Sequence, residues 1–176
     1  MSKSVVVLSV PHELQGPQFP RHVNDPASSH LVEGLIKGGI SVEGFATGRI
    51  DFVFEEAAGR RPSIAEDLAK SLLGPGHYLD VDPPPHERRK HGIKLETGGY
   101  WFDPSLGAHY RWEEVDEHRK REQLWLQAVQ AQAFETGLAI CGLGHGLSFP
   151  FRLLSAGVRV LLTFNHIPYD KLCSHA

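Results

Sequence analysis

Short runs of apolar residues alternate with amphipathic stretches along most of the chain. The first run, SVVVLSV at 4–10, is rich in β-branched residues and apolar at almost every position, which is typical of a strand buried on both faces. Later runs of the same kind predict four further strands, at 50–56, 77–82, 138–142 and 158–164. Apolar residues at helical spacing predict helices between them, at 25–39, 61–76, 113–134 and 148–156.

This alternation of strands and helices predicts the fold class. Strands that are separated by helices pair in parallel through right-handed crossovers, so we expect an α/β fold with one mostly parallel sheet of about five strands flanked by helices. No change of composition marks a boundary, and residues 1–176 are expected to form a single domain. Its one irregular insertion is expected at about 83–112, where the prolines at 83–85 argue against regular structure.

The longest predicted helix, 113–134, has an apolar face that we expect to lie against the sheet. The members of this face are Val115, Leu124, Trp125, Ala128, Val129 and Ala131. Arg121 opens the apolar part of the helix, in REQLWLQAV, and is expected where that face meets the edge of the sheet. There its guanidinium would clamp an anionic substrate or stabilise a developing oxyanion.

Composition argues against several classes of function. The formal net charge is -3, from 18 basic and 21 acidic residues, which offers no basic surface to nucleic acid. No apolar run reaches the ~20 residues that span a bilayer, so no membrane partner is expected, and the N-terminal run is interpreted as a strand and not as a signal peptide. Two cysteines are too few for a disulfide framework, and we expect reduced thiols in a cytoplasmic protein.

Residues that can do chemistry follow the predicted strands at the points where the strands end. Because the carboxyl ends of parallel strands meet at one edge of the sheet, these side chains are expected to lie close together. In strand order they are His12, then Glu55 and Glu56, then Asp80 and Asp82, then His145, and last His166. The two aspartates and His166 are the weaker candidates, since aspartates at strand ends commonly begin turns.

Glu55 and Glu56 are adjacent, and successive residues of a strand point to opposite faces. Only one of the two is therefore expected in the cleft, and the sequence does not decide which. The other is expected to pair with Arg60 or Arg61.

Two histidines and a carboxylate support two kinds of chemistry. His12, Glu56 and His145 are a ligand set for a divalent metal ion. Alternatively, a histidine oriented by the carboxylate deprotonates water without a metal. Sharper motifs are absent, because GLGHGL lacks the third glycine of the dinucleotide fingerprint, and Ser148 lies outside the G-x-S-x-G order of a nucleophile elbow.

Four short motifs carry a resemblance to a known group of proteins. VPHELQG after the first strand, FEE at the end of the second, REQLW on the long helix and the late ICGLGH with LLSAGVRV resemble the TraB, Tiki and erythromycin-esterase (ChaN-like) group of α/β proteins. The resemblance implies site residues at His12, Glu55 or Glu56, Arg121 and His145. It also implies metal-dependent peptide cleavage or histidine-driven ester hydrolysis, although other members resemble binding or regulatory proteins. Pro11 and the short chain depart from the group's pattern and leave the substrate open.

The sequence therefore supports two functions. The first is a small hydrolase for a small-molecule or peptide substrate, in which His12, His145 and Glu55 or Glu56 activate water and Arg121 binds the substrate. The second is a binding or regulatory protein that captures a small anionic, nucleotide-like ligand at the same edge without turnover. Basic and aromatic residues at 86–112 favour the second function, and a homodimer is compatible with either.

Overall fold

Seven strands and five helices follow one another along the chain in a computed structural model that describes residues 3–10, 26–38, 41–42, 45–46, 49–57, 63–93 and 112–165. The strands are β1 (Ser4–Val10), β2 (Ser41–Val42), β3 (Phe45–Ala46), β4 (Phe52–Glu55), β5 (Tyr78–Asp80), β6 (Thr136–Gly142) and β7 (Arg159–Asn165). The helices are α1 (Pro26–Gly38), α2 (Ile64–Leu72), α3 (Pro85–Arg88), α4 (Trp112–Ala131) and α5 (Ser148–Ser155). Within the described ranges, no helix combines the length and the apolar character needed to cross a bilayer.

Five of the strands form one sheet in the order β5-β4-β6-β1-β7, and every pairing in it is parallel. This confirms the predicted α/β fold with a parallel sheet of about five strands and flanking helices. β2 and β3 pair with each other in a separate antiparallel ribbon. The sequence pattern does not predict the ribbon, because two-residue strands are too short to show a period.

Both faces of the sheet are covered, which explains why β1 is apolar almost throughout. Val5 and Val7 belong to one core, together with residues of α4 and α5, whereas Val6, Leu8 and Val10 belong to the other, together with residues of α1 and α2. All residues of β1 are buried. Each large side chain buried in this way stabilises the fold by roughly 1.5–3 kcal/mol.

The direction of each crossover explains how the helices divide between the two faces. The chain moves towards β5 through α1 and α2, and it moves back towards β7 through α4 and α5. Because β-α-β connections are right-handed, connections that run in opposite directions lie on opposite faces of the sheet. The neighbours β4 and β6 are followed by connections in opposite directions. In an open α/β sheet such a reversal opens a crevice at the carboxyl ends of the two strands, where these folds bind ligands.

The start and end of α2 follow from local sequence. Ser63 precedes the helix with an extended backbone, and its side-chain oxygen accepts a hydrogen bond from the Glu66 amide at 3.3 Å. The helix ends before Gly74 and Gly76, whose φ angles of 97° and 91° favour glycine. The described helix is therefore shorter than the predicted range of 61–76.

The buried face of α4 differs in part from the predicted apolar face. Trp125 and Val129 are buried as expected, but Ala131 is exposed, and Leu126 is buried although it is not a member of the predicted face. The face is rotated because charged residues of the same helix occupy buried positions, which an apolar pattern alone does not reveal. The remaining predicted members are Leu124 and Ala128, which are half-buried, and Val115, whose side chain lies outside the described residues.

The prediction that three prolines prevent regular structure after Asp82 is wrong. α3 begins at Pro85, and a turn of 3-10 helix follows at Arg89–His91. Proline is tolerated in the first turn of a helix, where an N–H would have no partner inside the helix. Pro84 precedes the helix with an extended backbone, and its carbonyl oxygen accepts from the Arg88 amide at 3.1 Å. Residues 94–111 of the predicted insertion lie outside the described part of the chain.

Candidate functional site

Glu55 and Glu56 leave β4 towards opposite faces of the sheet. Glu55 lies on the α2 side, where its Oε2 accepts hydrogen bonds from the Ser63 hydroxyl and from the Tyr78 hydroxyl, the latter at 2.6 Å. Burial, and then the nearby Glu55 carboxylate, raise the pKa of Tyr78, so its phenol remains a donor. Glu55 is therefore separated from Glu56 by the sheet itself.

Glu56 lies on the α4 side, at the crevice between β4 and β6. Its Oε1 pairs with a terminal nitrogen of Arg121, and its Oε2 accepts from the backbone amide of Gly142 at 2.7 Å. The same Oε1 lies 3.7 Å from Nε2 of His145. Glu56 is 1% exposed, so a carboxylate that follows β4 is held by a helix and by the end of β6 at the same time.

Asp82 organises the basic side chains beside Glu56. Arg121 binds it in a bidentate manner, with Nε at 2.9 Å from Oδ1 and a terminal nitrogen at 2.8 Å from Oδ2. The indole nitrogen of Trp125 donates to Oδ1 at 3.1 Å, and Arg88 pairs with Oδ2. Bidentate pairs of this kind are the geometrically specific form of the arginine–carboxylate contact. Asp82 therefore determines the orientation in which Arg121 reaches Glu56.

His145 is buried between two carboxylates. Its Nδ1 lies 2.8 Å from Oε1 of Glu122, and its Nε2 faces Glu56. A carboxylate only accepts hydrogen bonds, so Nδ1 carries a proton, and when the ring is neutral the lone pair lies on Nε2. A carboxylate that orients a histidine in this way is a recurrent arrangement in sites where a histidine takes a proton.

Glu122 also binds groups from α5. The Ser148 hydroxyl donates to its Oε1, and Nε of Arg152 lies 2.6 Å from its Oε2. Burial alone would raise the pKa of this carboxyl group, but the hydrogen bonds from His145, Ser148 and Arg152 outweigh it and the pKa is lowered. Glu122 is thus a carboxylate at neutral pH. Because the Ser148 hydroxyl donates to Glu122 and not to His145, the contacts do not form a serine–histidine pair.

Two aromatic rings of α4 enclose the imidazole of His145. The ring centroids of Trp125 and His145 are 4.5 Å apart, and those of His118 and His145 are 4.3 Å apart. Burial, and then the neighbouring His145 and Arg121, lower the pKa of His118 to about 4. His118 is therefore neutral at physiological pH and contacts the site as an uncharged ring.

The network contains equal numbers of negative and positive side chains. It joins three carboxylates to three guanidinium groups: Glu56, Asp82 and Glu122 with Arg88, Arg121 and Arg152. Bringing such groups out of water is costly, and removing one member of a buried pair costs about 3–5 kcal/mol because the partner is left without compensation. The network therefore holds its members in fixed positions relative to the end of β6.

Three of the five predicted site residues come together, namely Glu56, Arg121 and His145. Glu55 does not join them, because strand alternation directs it to the other face. His12 lies outside the described residues, and so do three residues that were assigned lesser roles, Arg60, Arg61 and His166.

The sequence pattern does not predict Glu122 as a site residue, and it makes Asp82 only a weaker candidate. The position of Glu122 in the sequence could have indicated that it is buried. It lies one residue after Arg121 and three before Trp125, on the side of α4 that faces the sheet. A charged residue in such a stripe needs partners from other elements, and this need indicates a site. Asp82 gives no comparable signal, since an aspartate after a strand is ordinarily part of a turn.

The predicted metal ligands can be tested in part against these contacts. Among the described side chains, no group of three or more residues with metal-binding atoms is close enough to hold an ion. Both oxygens of Glu56 already accept from Arg121 and Gly142, which leaves this carboxylate poorly placed as a ligand. The hypothesis of a metal site that includes His12 stays a prediction, since His12 lies outside the described residues.

Comparison of the chain with known protein families, with curated proteins and with solved structures finds no match. The resemblance to the TraB, Tiki and erythromycin-esterase group therefore rests on the four motifs alone and stays a prediction.

Proposed function

We propose that this protein is a small hydrolase in which His145 activates a water molecule at the crevice between β4 and β6. The observation that supports the proposal is the contact of 2.8 Å between Nδ1 of His145 and Glu122, which holds the proton of the neutral ring on Nδ1 and makes Nε2 the base. General-base catalysis of this type contributes typically 10²–10⁴-fold to a rate. Its position at the crevice where the crossovers reverse agrees with the usual location of ligands in such sheets.

The two glutamates have different roles in this proposal. Glu122 is a positioning residue that orients the imidazole. Glu56 lies 3.7 Å from Nε2 and stabilises the imidazolium that forms when His145 takes a proton from water. The resulting hydroxide attacks the acyl carbon of an ester or amide, and the imidazolium then returns the proton to the leaving group. Arg121 holds Glu56 in place through their ion pair.

The capture of a small anionic ligand is the less favoured function. It needs positive charge directed at the ligand, whereas Arg88, Arg121 and Arg152 each bind a carboxylate of the network. A purely structural network is the second competitor. If the network is purely structural, the wild type has no hydrolase activity, and substitutions in the network lower only the stability of the protein.

Turnover of p-nitrophenyl acetate, p-nitrophenyl butyrate and a fluorogenic peptide library tests the proposal. We expect His145→Gln to lose at least about 100-fold in kcat/KM on any substrate that is turned over, with the circular dichroism of the wild type retained. His77→Gln, at an exposed histidine, is the matched control and should keep full activity. Absence of turnover in the wild type on every substrate, or an unchanged rate in His145→Gln, would refute the hydrolase.

Metal content separates direct action of His145 from a metal-dependent reaction. Protein purified without an affinity tag is to be analysed as the wild type and as the variant with His12→Ala and His145→Ala. Our proposal expects no stoichiometric metal and full activity after dialysis against EDTA. Near-stoichiometric zinc, manganese or iron that disappears in the variant would instead place both histidines in one metal site and replace the direct mechanism.

A further inference from the structure

A groove that is open to solvent lies between α4 and α5. It has a volume of about 310 Å³ and is lined by Gln123, Leu126, Phe151, Arg152, Ser155 and Ala156. Most of this lining is apolar or uncharged, and Arg152 is its one charged side chain. Small-molecule sites in proteins have volumes of roughly 300–1,000 Å³ and combine a mostly apolar wall with a few placed polar groups. The groove therefore has the size and the composition of a site for a small ligand.

The guanidinium of Arg152 is only partly used inside the protein. Its Nε donates to Oε2 of Glu122 at 2.6 Å. Within the described ranges, the two terminal nitrogens of Arg152 have no hydrogen-bond acceptor. The Arg152 side chain is 27% exposed, whereas that of Glu122 is 0% exposed. Arg152 is thus anchored at Nε by a buried carboxylate and has unused donors at the groove.

These unused donors match the shape of a carboxylate. The terminal nitrogens of a guanidinium lie side by side, so they can donate two parallel hydrogen bonds to the two oxygens of one carboxylate. The contact with Glu122 already restricts the side chain of Arg152. A ligand that binds there loses less affinity to the ordering of the arginine than it would with a mobile side chain.

The charges around the groove also favour an anion. No acidic side chain is among the lining residues. Arg119 lies one turn before Gln123 on the same side of α4, it is exposed, and no carboxylate of the described residues pairs with it. Arg119 therefore adds a second positive charge at the end of the groove, and a single negative charge on a ligand is complemented there.

We propose that the groove between α4 and α5 binds a small amphipathic carboxylate. Its carboxylate lies on the terminal nitrogens of Arg152, and its apolar part lies against Leu126, Phe151 and Ala156. Phe151 is 69% exposed, and a ligand in the groove covers part of its ring. An alkyl or aryl chain of about six to eight carbon atoms is an occupant whose size suits the groove.

This site is distinct from the crevice in which His145 is proposed to act. Glu122 lies between the two, since Arg152 binds its Oε2 and Nδ1 of His145 contacts its Oε1. At the crevice, Arg121 is occupied by carboxylates of the protein, but at the groove the terminal nitrogens of Arg152 are available. The proposed ligand site does not depend on the proposed hydrolase, and its test needs no turnover.

Titration of the ¹⁵N-labelled whole chain with octanoate, followed by amide chemical shifts, tests the proposal. We expect saturable shifts at the amides of the residues that line the groove. Octanamide keeps the apolar chain without the charge, and acetate keeps the charge without the chain. Both are expected to bind at least about tenfold more weakly than octanoate, because each lacks one half of the contacts.

Variants at Gln123 test the role of charge without altering a buried contact. Gln123→Glu places a like charge beside the ligand and is expected to weaken octanoate binding at least about fivefold, whereas Gln123→Lys should strengthen it. Gln130→Glu is the matched control, at an exposed position about 10 Å further along α4, and should bind as the wild type does at physiological ionic strength.

Arg152→Gln is expected to weaken binding of octanoate at least about tenfold. This variant also removes a partner of the buried Glu122, so its melting temperature is measured alongside, and the Gln123 variants keep the test valid if it unfolds. Three results would overturn the proposal: no saturable shift with octanoate, octanamide that binds as tightly as octanoate, or shifts confined to the amides around Gly142 at the crevice. Equal binding by Gln123→Glu and Gln123→Lys would overturn it as well.

Discussion

Arg121 is a buried cation shared by two carboxylates that follow different strands. Arg121→Met leaves Asp82 and Glu56 in the protein interior without this guanidinium, and we expect it to lower the free energy of unfolding by about 3–5 kcal/mol. Urea denaturation measures the difference. Arg119→Met, at an exposed position two residues earlier, is the control and should change stability by no more than about 0.5 kcal/mol. Equal losses in the two variants would show that the ion pairs contribute nothing.

His118 provides a prediction about pH. Burial and the neighbouring His145 and Arg121 lower its pKa from 6.5 to about 4, so the unfolded chain binds a proton more readily than the folded chain between these values. Stability should therefore decrease as the pH falls from 6.5 towards 4, with a slope below about 1.4 kcal/mol per pH unit because this side chain is only partly buried.

Urea denaturation at several pH values between 7 and 5 measures this slope, above the range in which carboxyl groups titrate. His118→Gln should flatten the curve, whereas His30→Gln should not, because the side chain of His30 is 77% exposed. A wild-type curve that is already flat over this interval would contradict the prediction.

At the scale of secondary-structure elements, Ser63 links the start of α2 to the end of β4. It accepts from the Glu66 amide as a helix cap, and it donates to the buried Glu55. Ser63→Ala loses both contacts, so we expect it to cost about 1–2 kcal/mol, near the upper end for a cap. Thermal and urea denaturation measure the loss. Ser71→Ala, at the exposed end of the same helix, should be nearly neutral, and a similar effect at both serines would argue against the cap.

Strand alternation explains which parts of the site could be predicted from the sequence. A strand that ends in two glutamates must send them to opposite faces, so the separation of Glu55 and Glu56 follows from the sequence alone. The choice of Glu56 for the crevice does not follow from it. That choice depends on the face to which α4 packs, because Arg121 and Asp82 are both on that side.

At the scale of the whole molecule, the order of the strands determines which parts open first. β1 and β6 are central, and their residues are buried apart from the half-buried Thr136, whereas β5 is a three-residue strand at one edge with half-buried side chains. We expect the amides of β1 and β6 to exchange with solvent only through global unfolding, and those of β5 through smaller openings.

Native-state hydrogen exchange followed by mass spectrometry checks this order. In β1 and β6, the exchange rate should increase with urea concentration as steeply as global unfolding does. In β5, the exchange rate should depend less steeply on urea concentration. Amides of β5 that exchange as slowly as those of β1 would contradict the expected difference between the edge and the centre of the sheet.

At the scale of the whole molecule, some features follow from the sequence alone, whereas others depend on the tertiary structure. The β-branched runs and helix caps determined the strands of the parallel sheet, most of the helices and the edge at which His145 lies, because periodicity and capping are local properties of the chain. The partners of His145 were decided only by packing. Glu122 is 23 residues away in sequence and Asp82 is 39 residues before Arg121, and no local pattern records which side chains meet when α4 docks against the sheet.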